Sequence, residues 1–264
     1  MDLQQATELK ESTAGMMKAE NYLELYRIAL HATGNVIDIG TGQGATTIAY
    51  ALGLRDSGRE AQVHAIDQFF QVARGPHRYN KLDYPDDCVE RNVSVYNDHL
   101  RRIGVADLVI THVGTTDEVA ARFPDIRCGV LSIDVDGHID RDLGHFYDLV
   151  VPGGTIVIDD CKDTIVSTGR ENIAKMAGKA ESEIRAWIGR QSTWNTRRLL
   201  GKHLLAFRVA ESLVADGFLQ PQQVIGNTAV FSKASDQPFA RFDMSRMEDV
   251  ERSIVEDFSK KCLT

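Results

Sequence analysis

The stretch "VIDIGTGQGATTIAYALG", residues 36–53, decides the fold. It reads as a short apolar strand, a turn rich in glycine, and the start of a helix. Gly40, Gly42 and Gly44 remove side chains where the backbone must come close to a ligand or take positive φ. By letters alone, Gly40, Gly42 and Ala45 also fit a dinucleotide-binding fingerprint. Asp38 argues against that reading. It lies two residues before Gly40, at the carboxyl end of the strand, where a pyrophosphate on the helix N-terminus would be repelled by it. A cationic ligand would be attracted.

Outward from this stretch, further apolar runs each end in a turn signal or a polar residue. They are "QVHAID" (62–67), "DLVITHV" (107–113), "GVLSID" (129–134) and "GTIVIDD" (154–160). They are near-continuous rather than alternating, as strands buried on both faces are. Segments of helical spacing separate them, at roughly 44–55, 86–104, 116–123 and 139–150. Strand alternating with helix predicts a parallel sheet with right-handed crossovers. Later, "GFLQPQQVIGNTAVFSK" (217–233) reads as strands 218–224 and 227–233 around a tight turn at Ile225-Gly226. That pair adds an antiparallel edge. Residues 1–32 read as N-terminal helices, 33–234 as the core, and 235–264 as a tail with a closing helix at 247–261. The expectation is one α/β domain, Rossmann-like, with a mostly parallel seven-stranded sheet, helices on both faces and an antiparallel strand from the C-terminal hairpin.

The chain has 264 residues, 43% of them hydrophobic and 26% charged, which are the proportions of a globular protein. A net charge of −8 argues against nonspecific nucleic-acid binding. No apolar run reaches the length of about 20 residues needed to span a membrane. The start, "MDLQQATELKES", lacks the basic and apolar regions of a signal peptide. Cys88, Cys128, Cys161 and Cys262 show no metal-ligand spacing and read as reduced thiols of a cytoplasmic protein.

"VIDIGTGQG" resembles the first motif of the class I S-adenosylmethionine-dependent methyltransferases. That cofactor carries a sulfonium and an ammonium and no phosphate, which suits Asp38. The resemblance implies that Asp38, Gly40, Gly42 and Gly44 line its methionine end. Asp67, with Gln68 beside it, matches the acidic position that binds the ribose hydroxyls. "VITHVGTTDEV" (109–119) matches the loop bordering the adenine, with Gly114 and Thr115 nearest. "VPGGTIVIDD" (151–160) matches the turn and fifth strand.

Acid gathers at two strand ends: "LSIDVDGHID" (131–140) carries Asp134, Asp136, His138 and Asp140, and the fifth strand ends in Asp159 and Asp160. Strands that end side by side would bring these carboxylates into one pocket. There they need shared protons or a cation, and an all-oxygen set suits Mg²⁺, Ca²⁺ or Mn²⁺. In this respect the chain resembles the metal-dependent O-methyltransferases of catechols, aminocoumarins and macrolide sugars. Carried over, Asp134, Asp159 and Asp160 are the metal ligands, with Asp134 also bordering the cofactor, and Asp136 is the base. The family usually reads "IDGDH" where this chain has "IDVDGH", and aligning on "DGH" moves the base role to His138. "IDVDG" also resembles the "IDVEG" of another methyltransferase branch, whose members lack the following "DD".

His145 reads as structural and Asp163 as a helix cap. Segments 69–87 and 163–200, with Phe69, Arg74, His77, Tyr79, Trp187 and Trp194, read as a lid over a planar or sugar-bearing acceptor, or as packing. The expected activity is O-methylation of a small molecule with Mg²⁺ or another divalent cation. A metal-free methyltransferase of another atom, an oxidoreductase and a non-catalytic binding module are the alternatives. The N-terminal helices leave a homo-oligomer open.

Overall fold

The computed structural model describes residues 1–69, 87–135, 138–163 and 193–239, with backbone alone over 193–202. Seven strands form one sheet: β1 (Asn35–Ile39), β2 (Val63–Asp67), β3 (Val109–Val113), β4 (Cys128–Ile133), β5 (Val150–Ile158), β6 (Leu219–Ile225) and β7 (Thr228–Lys233). Their spatial order is β3-β2-β1-β4-β5-β7-β6. The first five pair in parallel, and β7 is antiparallel to both β5 and β6. This is the predicted sheet, closed by the predicted hairpin. The hairpin turn lies one residue later than expected, at Gly226-Asn227, because Gly226 takes the left-handed φ of +64° and Ile225 is still paired with Thr228.

Helices cover both faces. The described ones are α1 (Leu3–Ser12), α2 (Ala19–His31), α3 (Ala45–Ser57), α4 (Cys88–Ile103), α5 (Thr116–Ala120), α6 (Ile139–Phe146) and α7 (Thr193–Ala215). Side chains alternate across each strand. Val36, Val63, Val130 and Val157 join the core under α1 to α4, with Leu25, Tyr50, Leu54 and Tyr96. Ile37, Ile39, Leu131, Ile133, Ile156 and Ile158 face the other core, with Leu143, Phe146, Val209 and Leu213. Burial on both faces is why these strands are apolar without interruption. Among the described residues no helix is long and apolar enough to cross a membrane.

One expected turn is a bulge. Pro152-Gly153-Gly154 lies inside β5, because Val150 pairs with Cys128 and the next pair is Thr155 with Val130. The chain between swells outward at Gly153, φ +70°. The result is a strand whose carboxyl end is in register with β4, and that register builds the site. The predicted C-terminal helix at 247–261 and most of the two predicted lid segments, 70–86 and 164–192, lie outside the described residues.

Candidate active site

In an open parallel sheet the ligand crevice lies beyond the strands' carboxyl ends, where the strand order reverses. Here that point is between β1 and β4. Gly40 leaves β1 at φ +88°, and a Cβ on it would sit 1.9 Å from the Asp134 carbonyl oxygen. Only glycine lets the two strand ends approach so closely. The loop then reaches Gly44, the left-handed N-cap of α3 at φ +96°.

Asp38 is buried, 1% exposed, and accepts from the hydroxyls of Thr46 (2.9 Å) and Thr47 (2.7 Å) in the first turn of α3. Burial pushes its carboxyl up to about 6, against the pull of those hydroxyls. It therefore carries charge at pH 7 under α3, close to where a cationic ligand would lie. Asp67 ends β2 and clamps the glycine loop: its carboxylate accepts from the backbone N–H of Gly42 (2.8 Å) and of Phe69 (2.6 Å). Burial raises its pKa. Gln68 is exposed beside it. Gly114 follows β3 and donates its N–H to the Asp67 carbonyl at 2.9 Å. Thr115 is the N-cap of α5, with its hydroxyl and N–H both engaged by Glu118 in a capping box. Its side chain thus has a structural duty that its position in the sequence hid. The Thr41 hydroxyl is buried in the glycine loop with no hydrogen-bond partner among the described residues. Loop and crevice thus keep an orphaned donor at the place where the first motif of the sequence puts the cofactor, and the residues present fit that group.

The acidic pocket forms as the strand ends predict. Ile133 and Ile158 are partners across β4 and β5. The ladder runs one step further, with Asp134 N–H donating to the Ile39 carbonyl and Asp159 N–H to that of Ile133, both at 2.9 Å. Asp134 and Asp159 therefore lie side by side. A continued strand would send Asp160 to the opposite face. Instead Asp160 takes φ +53°, rare outside glycine, and rejoins its neighbours. One carboxylate oxygen from each of Asp134, Asp159 and Asp160 lies within 4.8 Å of the other two, and all three residues are half-buried. A donor set of three carboxylates suits a hard divalent cation. Asp136 lies outside the described residues. His138 is the half-buried N-cap residue of α6, directly after that gap. His145 contacts Asp117 at 2.6 Å, a link between α6 and α5 in keeping with its structural reading.

Three residues of the pocket escaped the sequence. Thr228, at the start of β7, donates its hydroxyl to Asp159 Oδ1 at 2.5 Å. The same hydroxyl accepts from Asn21 Nδ2 at 2.7 Å, and Asn21 also donates to the Ile225 carbonyl at 3.0 Å. His203, on α7, places Nδ1 3.1 Å from Asp160 Oδ1. Neither α2 nor α7 carries a motif that announces these contacts. The antiparallel pairing of β7 with β5 was the available signal for Thr228.

Residues 37–161 match a family model described as a methyltransferase domain. No curated protein matches the sequence significantly. Among solved structures, an SAH-bound methyltransferase of Podospora anserina superposes with a TM-score of 0.57 at 13% identity, over 89% of each chain. An O-methyltransferase of Bacillus cereus in complex with SAH gives 0.56 at 15%, over 89% of this chain and 92% of that one. The O-methyltransferase TomG of Streptomyces achromogenes, involved in tomaymycin synthesis and in complex with SAM, gives 0.55 at 15%, over 89% and 91%. The strand order, the glycine loop and the methyltransferase domain matched over residues 37–161 agree, and the chain shares the fold of these S-adenosylmethionine-dependent methyltransferases.

Proposed function

We propose that the chain is an S-adenosylmethionine-dependent methyltransferase that transfers the methyl group to a hydroxyl oxygen of a small molecule, with a divalent cation held by Asp134, Asp159 and Asp160. The observation that carries the reading is the convergence of those three carboxylates beside the end of the glycine loop. Two of the similar solved structures are O-methyltransferases, which agrees with it. A cation bound there would fix acceptor oxygens and lower the pKa of a hydroxyl.

The chain's own residues do the rest. Asp38, ionised at neutral pH, favours a cationic methyl donor over a nucleotide phosphate. Asp67 holds the glycine loop in shape. The base that takes the hydroxyl proton is His138 or Asp136, both on the segment between β4 and α6. The net charge of −8 favours a small acceptor over a nucleic acid.

The test is methyl transfer from labelled S-adenosylmethionine to a panel of catechols and sugars with neighbouring hydroxyls. Chelation should abolish transfer, and Mg²⁺ or Mn²⁺ should restore it. Transfer indifferent to chelators, or a methyl group found on nitrogen or carbon, overturns the reading.

A further inference from the structure

We infer that His203 supplies a fourth protein donor, Nδ1, to the cation of the acidic pocket, so that the site selects a first-row transition ion over Mg²⁺. The inference rests on the cation reading above and adds to it a ligand and a selectivity.

The first observation is an orphan. The Nδ1 atom of His203 is buried and has no hydrogen-bond partner among the described residues. Buried polar atoms without partners are uncommon and call for an explanation. The nearest carboxylate oxygen, Asp160 Oδ1, is 3.1 Å away, yet the pair is not aligned as a hydrogen bond. An ordinary His–Asp pair would place a proton on the line between the two atoms. Two donor atoms at this spacing, out of line for a shared proton, suit a shared ion. Cis donors about 2.1 Å from an octahedral cation lie about 3 Å apart.

The second observation is how His203 is held. The backbone N–H of Lys162 donates to the His203 carbonyl at 3.4 Å, and that of Cys161 donates to the Asn227 carbonyl at 2.8 Å. The turn carrying the carboxylates is thus tied to α7 on one side and to the hairpin on the other. Asp160 keeps its left-handed backbone inside that frame. The imidazole is presented from a helix of 23 residues, a more rigid platform than a loop.

The chemistry of the donor set follows. Three carboxylates alone suit Mg²⁺, Ca²⁺ or Mn²⁺. An added imidazole nitrogen shifts preference toward Mn²⁺, Fe²⁺ and Co²⁺, which accept nitrogen more readily than Mg²⁺ does.

The experiment uses the full chain, stripped of metal, without acceptor. Mn²⁺, Co²⁺ and Mg²⁺ affinities are measured by calorimetry for the wild type, His203→Ala and Asp160→Asn. Electron spin-echo modulation of the Mn²⁺ protein reads nitrogen coordination directly and needs no variant. The expected result is a ¹⁴N modulation in the wild type that His203→Ala removes. Mn²⁺ and Co²⁺ affinity should fall at least about tenfold in that variant, the scale seen when a metal site loses a partner, while Mg²⁺ affinity holds within about threefold. Because His203 is a third exposed, the variant should fold, and a thermal melt checks it. Bound Mn²⁺ with no nitrogen modulation, or an unchanged preference between Mn²⁺ and Mg²⁺ in His203→Ala, overturns the inference and leaves the cation reading standing. A wild type that binds none of the three ions overturns both.

Discussion

Thr228→Val tests whether α2 holds the candidate ligand Asp159 in place. The swap keeps the shape of the side chain and removes one hydroxyl. Thr228 is 1% exposed and Asn21 6%, so water replaces neither partner easily. The lost hydroxyl leaves one Asn21 N–H without an acceptor, since among the described residues Asn21 retains only the Ile225 carbonyl. An orphaned buried donor costs about 1–3 kcal/mol. The bond to Asp159 is lost as well, but that carboxylate is half-buried and recovers part of its energy from solvent. A net loss of about 1–3 kcal/mol lowers Tm by about 3–10 °C in a chain of this size. Thr228→Ser keeps both bonds and loses a methyl worth about 1 kcal/mol.

Calorimetric melts in chelator separate this packing effect from any bound ion. Asn21→Leu combined with Thr228→Val should cost clearly less than the two single changes added together, because both cut the same chain of bonds. With Mn²⁺ present, Thr228→Val should weaken binding about 10–100-fold, as loss of an outer partner does at metal sites, and Thr228→Ser should not. A Val variant that melts within about 1 °C of wild type, or fully additive changes at positions 21 and 228, would refute the relay.

Gly40→Ala should cost about 2–5 kcal/mol, combining left-handed strain with a Cβ set against the Asp134 carbonyl. Gly58→Ala has similar φ, +67°, and open space, so equal melting of the two variants would discredit the close approach. S-adenosylmethionine affinity should fall as pH drops below about 6, where Asp38 takes up a proton; an unchanged pH profile in Asp38→Asn would show that the charge is irrelevant. In stability the same residue acts in the opposite sense. Its folded pKa lies above the unfolded value of about 3.8, so its contribution is full below pH 3.8 and is lost as pH rises through 6. Burial holds His64 down at about 4, below its unfolded 6.5, so its contribution is full above pH 6.5 and is lost as pH falls toward 4. The two nearly cancel, and calorimetry should find Asp38→Asn losing stability on acidification faster than wild type. Asp136→Asn and His138→Ala should differ: whichever residue is the base loses about 10²–10⁴ in rate with metal binding intact.

The sheet was legible because burial on both faces forces long apolar runs, and glycine at a crowded strand end cannot be exchanged. Val36 to Gly40 and Leu131 to Asp134 carry those constraints in consecutive letters. The acidic pocket was legible for the same reason: parallel register converts position in a strand into position in space, so two strands ending in acid place their acids together. What the letters hid belongs to partners brought in from other elements. Asn21, Thr228 and His203 are ordinary residues in ordinary surroundings along the chain. Each reaches the pocket through pairings of high sequence separation, such as β5 with β7. Thr115 shows the reverse case: its letters match a cofactor loop, and its hydroxyl and N–H also close the first turn of α5. The contrast bears on how such a site can diverge. A change at Asp134 or Gly40 strikes the strand that carries it. On the proposed cation reading, a change at His203 or Thr228 leaves β4 and the glycine loop untouched while it alters which ion the carboxylates hold, or how firmly. On that reading selectivity can drift on α2, α7 and β7 while the parallel strands and their glycine loop stay as they are.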